Sequence, residues 1–309
     1  MKNRCPITYE PCNGKYSANG LKKISAQLND LADLPFSSQE LRHEAALRAT
    51  KMSIQGVQAK LSAKLRVKEK GFQIVDQGGT YILKPQSDLF LEVPENEDLT
   101  MKMAKVFGIE VPLSGLVYCK DGSFCYFIKR FDRYAKNKKY QLEDFAQLTE
   151  NTRITKYKWS MEKMIPVIDK YCTFPLLEKK KLLRRVLFCF VTGNEDMHLK
   201  NFSLITRNNK IELSPAYDLL NSSIAMGKAV EELALPLAGK KSKLKKKHFF
   251  NYYAHEKLKL SDKTIQAEKN NLKEKRQHLE ALIDISFLSK EMKNSYLVLM
   301  HERFERLTK

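Results

Sequence analysis

The spacing of apolar residues changes near residue 140, and this change constrains the fold more than any other feature of the sequence. From Lys60 to Val67, apolar and polar residues alternate strictly, which indicates a half-buried β-strand. Beyond about Tyr140, apolar residues recur at helical spacing, most clearly over Leu176–Val191. The sequence therefore predicts an α+β protein in which a small β-rich lobe is followed by a larger helical lobe.

Shorter signals place further elements. Around the β-rich lobe we expect helices from Ser37 toward Thr50 and at Glu95–Phe107, a strand at Thr80–Lys84, and a hairpin at Asp121-Gly122. In the helical lobe we expect helices at Glu143–Leu148, Ser160–Lys170, Leu176–Val191, Thr264–Asp284 and Lys290–Thr308, with one hairpin, Phe202–Thr206 and Lys210–Leu213. Residues 1–36 are predicted to be irregular. The domain prediction is an N-terminal arm with a helix (1–50), an N-lobe (51–133) and a helical C-lobe (134–309).

The chain is strongly basic, with 55 Lys and Arg against 36 Asp and Glu among 309 residues, a net charge of +19. Hydrophobic residues make up 43% of the sequence, which excludes a largely disordered chain. The positive charge favours phosphate-bearing or acidic partners. It is compatible with a nucleic-acid binder, a nucleotide-using enzyme or simply a very soluble protein.

The six cysteines are too few and too scattered for a disulfide framework, and no C-x-x-C pair indicates zinc. The first residues include Lys2, Arg4 and Pro6 but no apolar core of a signal peptide. No apolar run approaches the ~18 residues of a membrane span. We therefore expect a cytoplasmic, reducing environment.

The glycine positions exclude several well-known nucleotide and hydrolase motifs. No two glycines are separated by two or by five positions, so neither G-x-G-x-x-G nor the G-x-x-x-x-G-K phosphate loop is present. No two are separated by four, which excludes the G-x-S-x-G turn of α/β-hydrolases.

A polar segment between the predicted helix Leu176–Val191 and the following hairpin carries the most specific chemistry. Asp196 and Asn201 have the spacing of the catalytic Asp and the metal-binding Asn in kinase catalytic loops, and Asp218 follows the hairpin. An aspartate can accept the proton of an attacking hydroxyl, while amide and carboxylate oxygens suit Mg²⁺. The alternative is that these residues only form turns and that Asp218 caps a helix.

The β-rich lobe offers a possible phosphate-binding cation. Lys84 ends the predicted strand Thr80–Lys84, and Glu97 on the next helix could pair with it, as a strand lysine and a helix glutamate do in kinases. The alternatives are that Lys84 is a solvated charge at a strand end and that Glu97 merely favours a helix N-terminus.

These pieces together resemble the HipA-like serine/threonine kinases, the toxins of bacterial toxin–antitoxin systems. The S-x-x-G-x-Q loop and the H-x-K-N element with its upstream aspartate are specific to that family when they occur together. The matching segments run in order along the chain: Ser53–Lys60, Tyr81–Pro85, Glu95–Glu97, Phe127–Arg133, Glu143–Gln147, Gly193–Asn201 and Pro215–Asp218.

The resemblance implies a bilobal protein-kinase-like fold, ATP and Mg²⁺ as cofactors, and a role for each matched residue. Asp196 would be the catalytic base, and Asn201 and Asp218 would bind Mg²⁺. Ser53 would be the autophosphorylation site, where a phosphate displaces the neighbouring loop; alternatively, its hydroxyl only caps a helix or turn. The other ATP-binding positions would be Gln55, Gly56, Val57, Gln58, Lys60, Lys84, Lys129, Arg130, Phe131, His198, Lys200 and Tyr217.

Two departures from the family pattern accompany the resemblance. Only about fifty residues precede Ser53, so the N-terminal subdomain of full-length members is expected to be missing, as in short forms from three-component systems, where a separate small protein supplies it. Position 129 is Lys where relatives often carry an acidic residue. Because hinge contacts to adenine are usually made by backbone atoms, the binding role of this segment is retained.

The family would further imply a cytosolic protein substrate, with an aminoacyl-tRNA synthetase as the expected target, and a DNA-binding antitoxin partner. Two alternatives remain, namely a kinase of small molecules with the same bilobal plan and a non-catalytic basic protein associated with nucleic acid. The basic run Lys240–Lys247 could touch nucleic-acid phosphates. We favour a solvated surface, with at most weak or indirect nucleic-acid contact, and expect the aromatic residues at 249–253 to be core or interface residues.

Overall fold

The computed structural model describes residues 3–48, 58–135, 138–150, 157, 159–227 and 231–309. The chain divides into two compact units. The sheet unit comprises Met1–Leu99, Pro112–Asn137 and Ile285–Leu288. The helical unit comprises Thr100–Val111, Lys138–Asp284 and Ser289–Lys309.

The sheet unit is built around a five-stranded antiparallel sheet, whose neighbouring strands are, in order, β4 (Gly71–Ile74), β3 (Leu61–Arg66), β5 (Tyr81–Pro85), β7 (Phe124–Lys129) and β6 (Ser114–Tyr118). Opposite residues in its centre include Lys84 and Tyr126 on β5 and β7. The predicted hairpin is confirmed, with Gly122 in its turn at φ 79°. The elements up to residue 135 are β1 (Asn3–Arg4), β2 (Pro11–Cys12), α1 (Ala18–Ile24), α2 (Ser38–Arg48), β3 (Leu61–Arg66), β4 (Gly71–Ile74), β5 (Tyr81–Pro85), α3 (Val93–Val106), β6 (Ser114–Tyr118), β7 (Phe124–Lys129) and β8 (Arg133–Ala135).

The prediction that residues 1–36 are irregular is wrong. This segment holds β1, β2 and α1, and Leu21 and Ile24 of α1 are buried in the core of the sheet unit. The helix α1 begins where the Ser17 side chain accepts a hydrogen bond of 2.9 Å from the amide of Gly20. With only seven residues, it is too short to show a helical period in the sequence.

The helical unit contains a three-stranded antiparallel sheet in the order β10-β11-β12. Its register places Asp144 opposite Ser203, and the amide of Ser214 donates to the carbonyl of Ser203 at 2.9 Å. The elements that follow β8 are β9 (Lys138–Lys139), β10 (Gln141–Asp144), α4 (Phe145–Leu148), α5 (Met164–Tyr171), α6 (Pro175–Thr192), β11 (Ser203–Arg207), β12 (Lys210–Leu213), α7 (Ser222–Ala225), α8 (Asp262–Ile285) and α9 (Lys290–Thr308). A 3₁₀ turn lies at Leu199–Asn201, and a π-helix spans His248–Lys257.

The predicted helix Glu143–Leu148 begins later than expected. Glu143 and Asp144 belong to β10, and α4 starts only at Phe145. The side chain of Asp144 accepts from the amide of Gln147 at 2.8 Å, while the Gln147 side chain bonds back to the Asp144 amide at 2.9 Å. This reciprocal capping box ends the strand and starts the helix at one residue.

The core of the helical unit forms around α6. Pro175 occupies its first turn, where the missing amide hydrogen is not needed, and Gly193 ends it in the left-handed conformation at φ 68°. Phe249, Phe250 and Tyr253 of the π-helix are also buried, as expected for core residues, whereas Tyr252 is only partly buried. All six cysteines lie within the described ranges, buried and reduced. No helix in the described part of the chain is both long and apolar enough to cross a bilayer.

Candidate active site

The sheet unit holds a buried ion pair at the position predicted for a phosphate-binding lysine. Lys84 on β5 and Glu97 on α3 are 2% and 1% exposed, and the Lys84 Nζ donates to Glu97 Oε1. The ammonium group also lies 5.5 Å from the centre of the Tyr126 ring. The predicted pairing is therefore present, and the alternative of a solvated charge at a strand end is wrong.

The predicted hinge residues end β7 in the same unit. The amide of Lys129 donates to the carbonyl of Leu113 and that of Arg130 to the carbonyl of Thr80, each at 2.8 Å. The guanidinium of Arg130 binds both carboxylate oxygens of Asp132, at 3.0 and 2.9 Å. The Arg130 side chain is thus engaged locally.

The loop predicted to cover the phosphates lies mostly outside the described residues. Ser53, Gln55, Gly56 and Val57 all fall there, as does the end of the predicted helix toward Thr50. Gln58 and Lys60 are described and partly buried just before β3. Phe131, the last of the predicted hinge residues, is also partly buried and follows the end of β7.

In the helical unit, the segment after Gly193 folds around the backbone carbonyl of Asp196. This carbonyl accepts from the amide of His198 at 2.8 Å and from the side-chain amide of Asn201 at 3.0 Å. The amide of Asp196 in turn donates to the side-chain oxygen of Asn194 at 3.1 Å. The two residues predicted from their five-residue spacing are therefore joined directly, while the Asp196 carboxylate is 52% exposed and accessible to a substrate.

The Asp196 carboxylate has two aromatic neighbours. The Tyr157 hydroxyl donates to Asp196 Oδ1, and His198 Nε2 lies 4.0 Å from the same oxygen. The Tyr157 and His198 rings pack edge to face with their centres 5.0 Å apart. Burial and the bond to Asp196 raise the pKa of Tyr157, so its hydroxyl remains a donor at neutral pH. Tyr157 was not predicted from the sequence, because no local motif marks it.

A buried glutamate fixes the Asn194–Asn201 segment, which carries Asp196. Glu195 is 8% exposed, its Oε1 accepts from the Ser223 hydroxyl, and its Oε2 accepts from the amide of Glu231 at 3.0 Å. The amide of Glu195 donates to the Ser222 hydroxyl at 2.7 Å. This contact, too, was not predicted from the sequence. The available signal was the run Asn221-Ser222-Ser223, whose first residue is the N-cap of α7.

Tyr217 holds the Ser214–Asp218 segment against the Asn194–Asn201 segment. Its hydroxyl donates to the carbonyl of Lys200 at 3.0 Å and contacts the Ser203 hydroxyl, and burial raises its pKa. Asp218 itself has φ 54°, in the left-handed region that Asp adopts more readily than most residues other than glycine. The Lys200 ammonium pairs with Asp144 at 3.2 Å.

The predicted metal ligands fit Mg²⁺ by their chemistry. Because the side-chain nitrogen of Asn201 donates to the Asp196 carbonyl, its amide oxygen is the end that remains to bind a cation. An amide oxygen and the carboxylate of Asp218 are hard oxygen donors, and Mg²⁺ is commonly held by one or two such side chains together with phosphates and water.

Comparisons with known proteins identify the group to which this geometry belongs. Residues 52–284 match the sequence profile of the HipA-like C-terminal domain. A Haemophilus influenzae protein named "Putative kinase" is 31% identical over 242 residues, which are 72% of this chain and 69% of that protein. The serine/threonine-protein kinase toxin HipA of Shewanella oneidensis is 27% identical over 199 residues, 55% of this chain and 43% of that protein.

The fold comparison agrees with the sequence comparison. A solved structure of Shewanella oneidensis HipA with HipB and operator DNA superposes with a TM-score of 0.69 at 20% identity, covering 90% of this chain and 72% of that one. The predicted α+β kinase-like fold is confirmed. The chain spans between 43% and 69% of the length of four such relatives.

Proposed function

This chain belongs to the family of HipA-like C-terminal domains, and from that membership we propose that it is an ATP-dependent kinase acting on serine or threonine hydroxyls of a protein. The observation that carries the proposal is the direct bond between Asn201 and the carbonyl of Asp196, which leaves the Asp196 carboxylate accessible and the Asn201 amide oxygen available. The 27% identity to a serine/threonine-protein kinase toxin supports the substrate class.

The proposed reaction uses few groups. The acceptor hydroxyl donates its proton to Asp196 as its oxygen forms a bond to the γ-phosphorus. The bond from that phosphorus to the β–γ bridging oxygen breaks, and ADP leaves. Bound Mg²⁺ supplies charge neutralisation for the phosphates, and Asn201 and Asp218 would hold it.

The remaining predicted roles are part of the same proposal. Lys84, whose ammonium group donates to Glu97, would contact ATP phosphates, and the backbone of Lys129–Phe131 would contact adenine. Ser53 would be autophosphorylated; a phosphate there adds about −1.5 to −2 charge, which would repel the phosphates of ATP.

The proposed setting is a toxin–antitoxin system. A relative has been solved with HipB and operator DNA, and we extend that arrangement to this chain as an antitoxin partner that binds DNA. The proposed substrate is an aminoacyl-tRNA synthetase. A phosphoproteomic comparison of cells with and without the active chain would identify the substrate directly.

Intact-mass analysis after incubation with Mg²⁺ and ATP tests the enzyme proposal. We expect one added phosphoryl group that maps to Ser53, and a rate at least about 100-fold lower in Asp196→Asn, because the base that accepts the hydroxyl proton is lost. Asp169→Asn is the matched control, since its side chain is 48% exposed against 52% for Asp196. It should react at the wild-type rate. Phosphorylation of Asp196→Asn at the wild-type rate would contradict the assignment.

A further inference from the structure

Arg185 is a buried cation that the proposed reaction does not use. It lies on α6, is 3% exposed, and its Nη2 donates to the carbonyl of Ser214 at 2.7 Å. Its Nε and Nη1 are buried and make no hydrogen bond to any residue in the described ranges. Burial lowers the pKa of its guanidinium. A buried guanidinium with one hydrogen bond destabilises a fold, so its presence needs another explanation.

A carboxylate that could pair with Arg185 is engaged elsewhere. Glu178, one of the acidic groups close enough to act on Arg185, accepts from the amide of Leu213 at 2.9 Å and from Lys181 at 2.9 Å. Arg185 instead makes its contacts to a backbone carbonyl and to an aromatic face, since its Cζ lies 5.8 Å from the centre of the Phe202 ring.

Both contacts lead to the segments that carry the predicted metal ligands. Ser214 begins the run that ends at Asp218, and Phe202 directly follows Asn201. The same two segments are joined at a second point, where the Tyr217 hydroxyl bonds the carbonyl of Lys200. One side chain on α6 therefore touches both segments at once.

We propose that Arg185 is a positioning residue that holds the Ser214–Asp218 segment against Phe202 and thereby sets the relative placement of Asn201 and Asp218. This inference rests on the proposed function, because it assigns those two residues to the Mg²⁺–nucleotide complex. Arg185 acts through Ser214 and Phe202 and touches neither metal nor substrate. A buried guanidinium with few hydrogen bonds lowers the stability of the fold, and we infer that it is retained because the site requires its two contacts.

Arg185→Met removes the charge and keeps the apolar stem, and the chain offers a closely matched control. Arg303 in the helical unit is 4% exposed, and its Cζ lies 4.8 Å from the centre of the Phe190 ring. It pairs with Glu232 at 3.3 Å, a carboxylate that Arg306 also binds at 2.7 Å. Arg303→Met therefore removes a similar buried cation that does not contact the metal-ligand segments.

Three measurements on the full chain separate positioning from a structural role. Without ligand, the melting temperature of Arg185→Met should equal or exceed that of the wild type, since loss of a poorly satisfied buried charge is often neutral or stabilising. With a non-hydrolysable ATP analogue, the Mg²⁺ concentration for half-maximal thermal stabilisation should rise by about tenfold or more. In ligand-free Arg185→Met, amide hydrogen exchange should be faster than in the wild type over residues 214–219 and unchanged in β10. Arg303→Met should match the wild type in the Mg²⁺ and exchange measurements.

Arg185→Lys provides a second variant in case Arg185→Met folds poorly. It keeps a cation that can donate to Ser214 but loses the planar face against Phe202, so an intermediate Mg²⁺ requirement is expected. Wild-type exchange over 214–219 and a wild-type Mg²⁺ requirement in Arg185→Met would overturn the inference. If the wild type shows no stabilisation by Mg²⁺ and the analogue, the proposed function fails, and the ligand-free exchange experiment still decides whether Arg185 positions the segment.

Discussion

Lys84 and Glu97 are each almost completely removed from water, and their ion pair offsets part of the cost of burying two charges. An exposed pair contributes little to stability, because water already solvates both groups. A buried pair differs, since removing one partner leaves an uncompensated charge in a low-dielectric interior. The burial of Lys84 at 2% exposure therefore turns an ordinary strand lysine into a fixed ammonium group whose position is set by the fold.

Lys84→Met should lower the free energy of unfolding by about 3–5 kcal/mol, because the buried carboxylate of Glu97 loses the ammonium group that compensates its charge. Adding Glu97→Leu should restore most of that loss without restoring phosphorylation. Denaturant unfolding of the single and double variants, together with the Ser53 phosphorylation rate, measures both effects.

Lys15→Met is the matched control for this experiment. Lys15 also lies in the sheet unit, pairs with Asp33 at 2.5 Å and sits 5.0 Å from the centre of the Tyr118 ring, but its side chain is 55% exposed. Its loss should cost less than about 1 kcal/mol. Equal losses for Lys84→Met and Lys15→Met would show that burial does not set the strength of the pair.

Single residues also mark the limit of what the sequence could predict at the site. Asp196 and Asn201 are five positions apart, and their bond follows from local chain geometry, so a motif could reveal it. Tyr157 reaches Asp196 across 39 positions, and Ser223 reaches Glu195 across 28. Such contacts depend on how distant elements pack, and a single sequence carries no periodic or spacing signal for them.

Among the elements, the junction between α6 and the Asn194–Asn201 segment depends on one glycine. Gly193 ends α6 at φ 68°, and a Cβ placed there would lie 2.7 Å from the side-chain oxygen of Asn221 and 3.1 Å from the Ser223 hydroxyl. Ser223 is also the residue that donates to Glu195. The end of α6 therefore packs directly against Ser223, which also holds the Asn194–Asn201 segment in place through Glu195.

Gly193→Ala should destabilise the protein and slow phosphorylation together. The left-handed conformation costs a residue with a Cβ about 1–2 kcal/mol, and displacement of Asn221 and Ser223 adds to this. We expect a total loss of at least about 2 kcal/mol in denaturant unfolding. Gly122→Ala is the control, because Gly122 has a similar φ of 79° and nothing within 4 Å of the added Cβ. It should cost about 1 kcal/mol and leave phosphorylation unchanged. Equal effects of the two substitutions would exclude a specific role for the Gly193 contacts.

The elements that the sequence predicted best are long and regular. The helix α9 has the predicted bounds, Lys290–Thr308, because it runs uninterrupted from the Ser289 cap and buries one face. The hairpin of β11 and β12 was also predicted, because two consecutive asparagines are typical of a tight hairpin turn. Asn208 and Asn209 adopt the left-handed turn conformation, at φ 49° and 58°. By contrast, α1 and β10 owe their bounds to capping and strand pairing, and neither leaves a periodic pattern in so few residues.

The net charge of +19 would, from composition alone, indicate a protein that binds nucleic acid. The densest basic run is part of the folded structure. Lys241 pairs with Glu231 at 3.0 Å, Lys246 donates to the carbonyl of Thr308 at 3.0 Å, and Leu244 between them is fully buried. This segment is therefore a folded surface, and its outward-facing lysines contribute a general positive field.

Such a field should bind DNA without sequence preference. We expect equal affinity for two unrelated duplexes of the same length, with a steep loss of binding between about 50 and 200 mM salt, because phosphate contacts release counterions. Replacing the exposed Lys240, Lys243, Lys245 and Lys247 by Gln should reduce the slope of log K against log salt by about 0.9 for each lysine that contacts a phosphate. Fluorescence anisotropy across a salt series measures this slope, and Ser53 phosphorylation should be unchanged in the variant. A preference for one duplex that persists at the higher salt concentration would instead indicate base readout, and the chain itself would then be a specific DNA-binding protein.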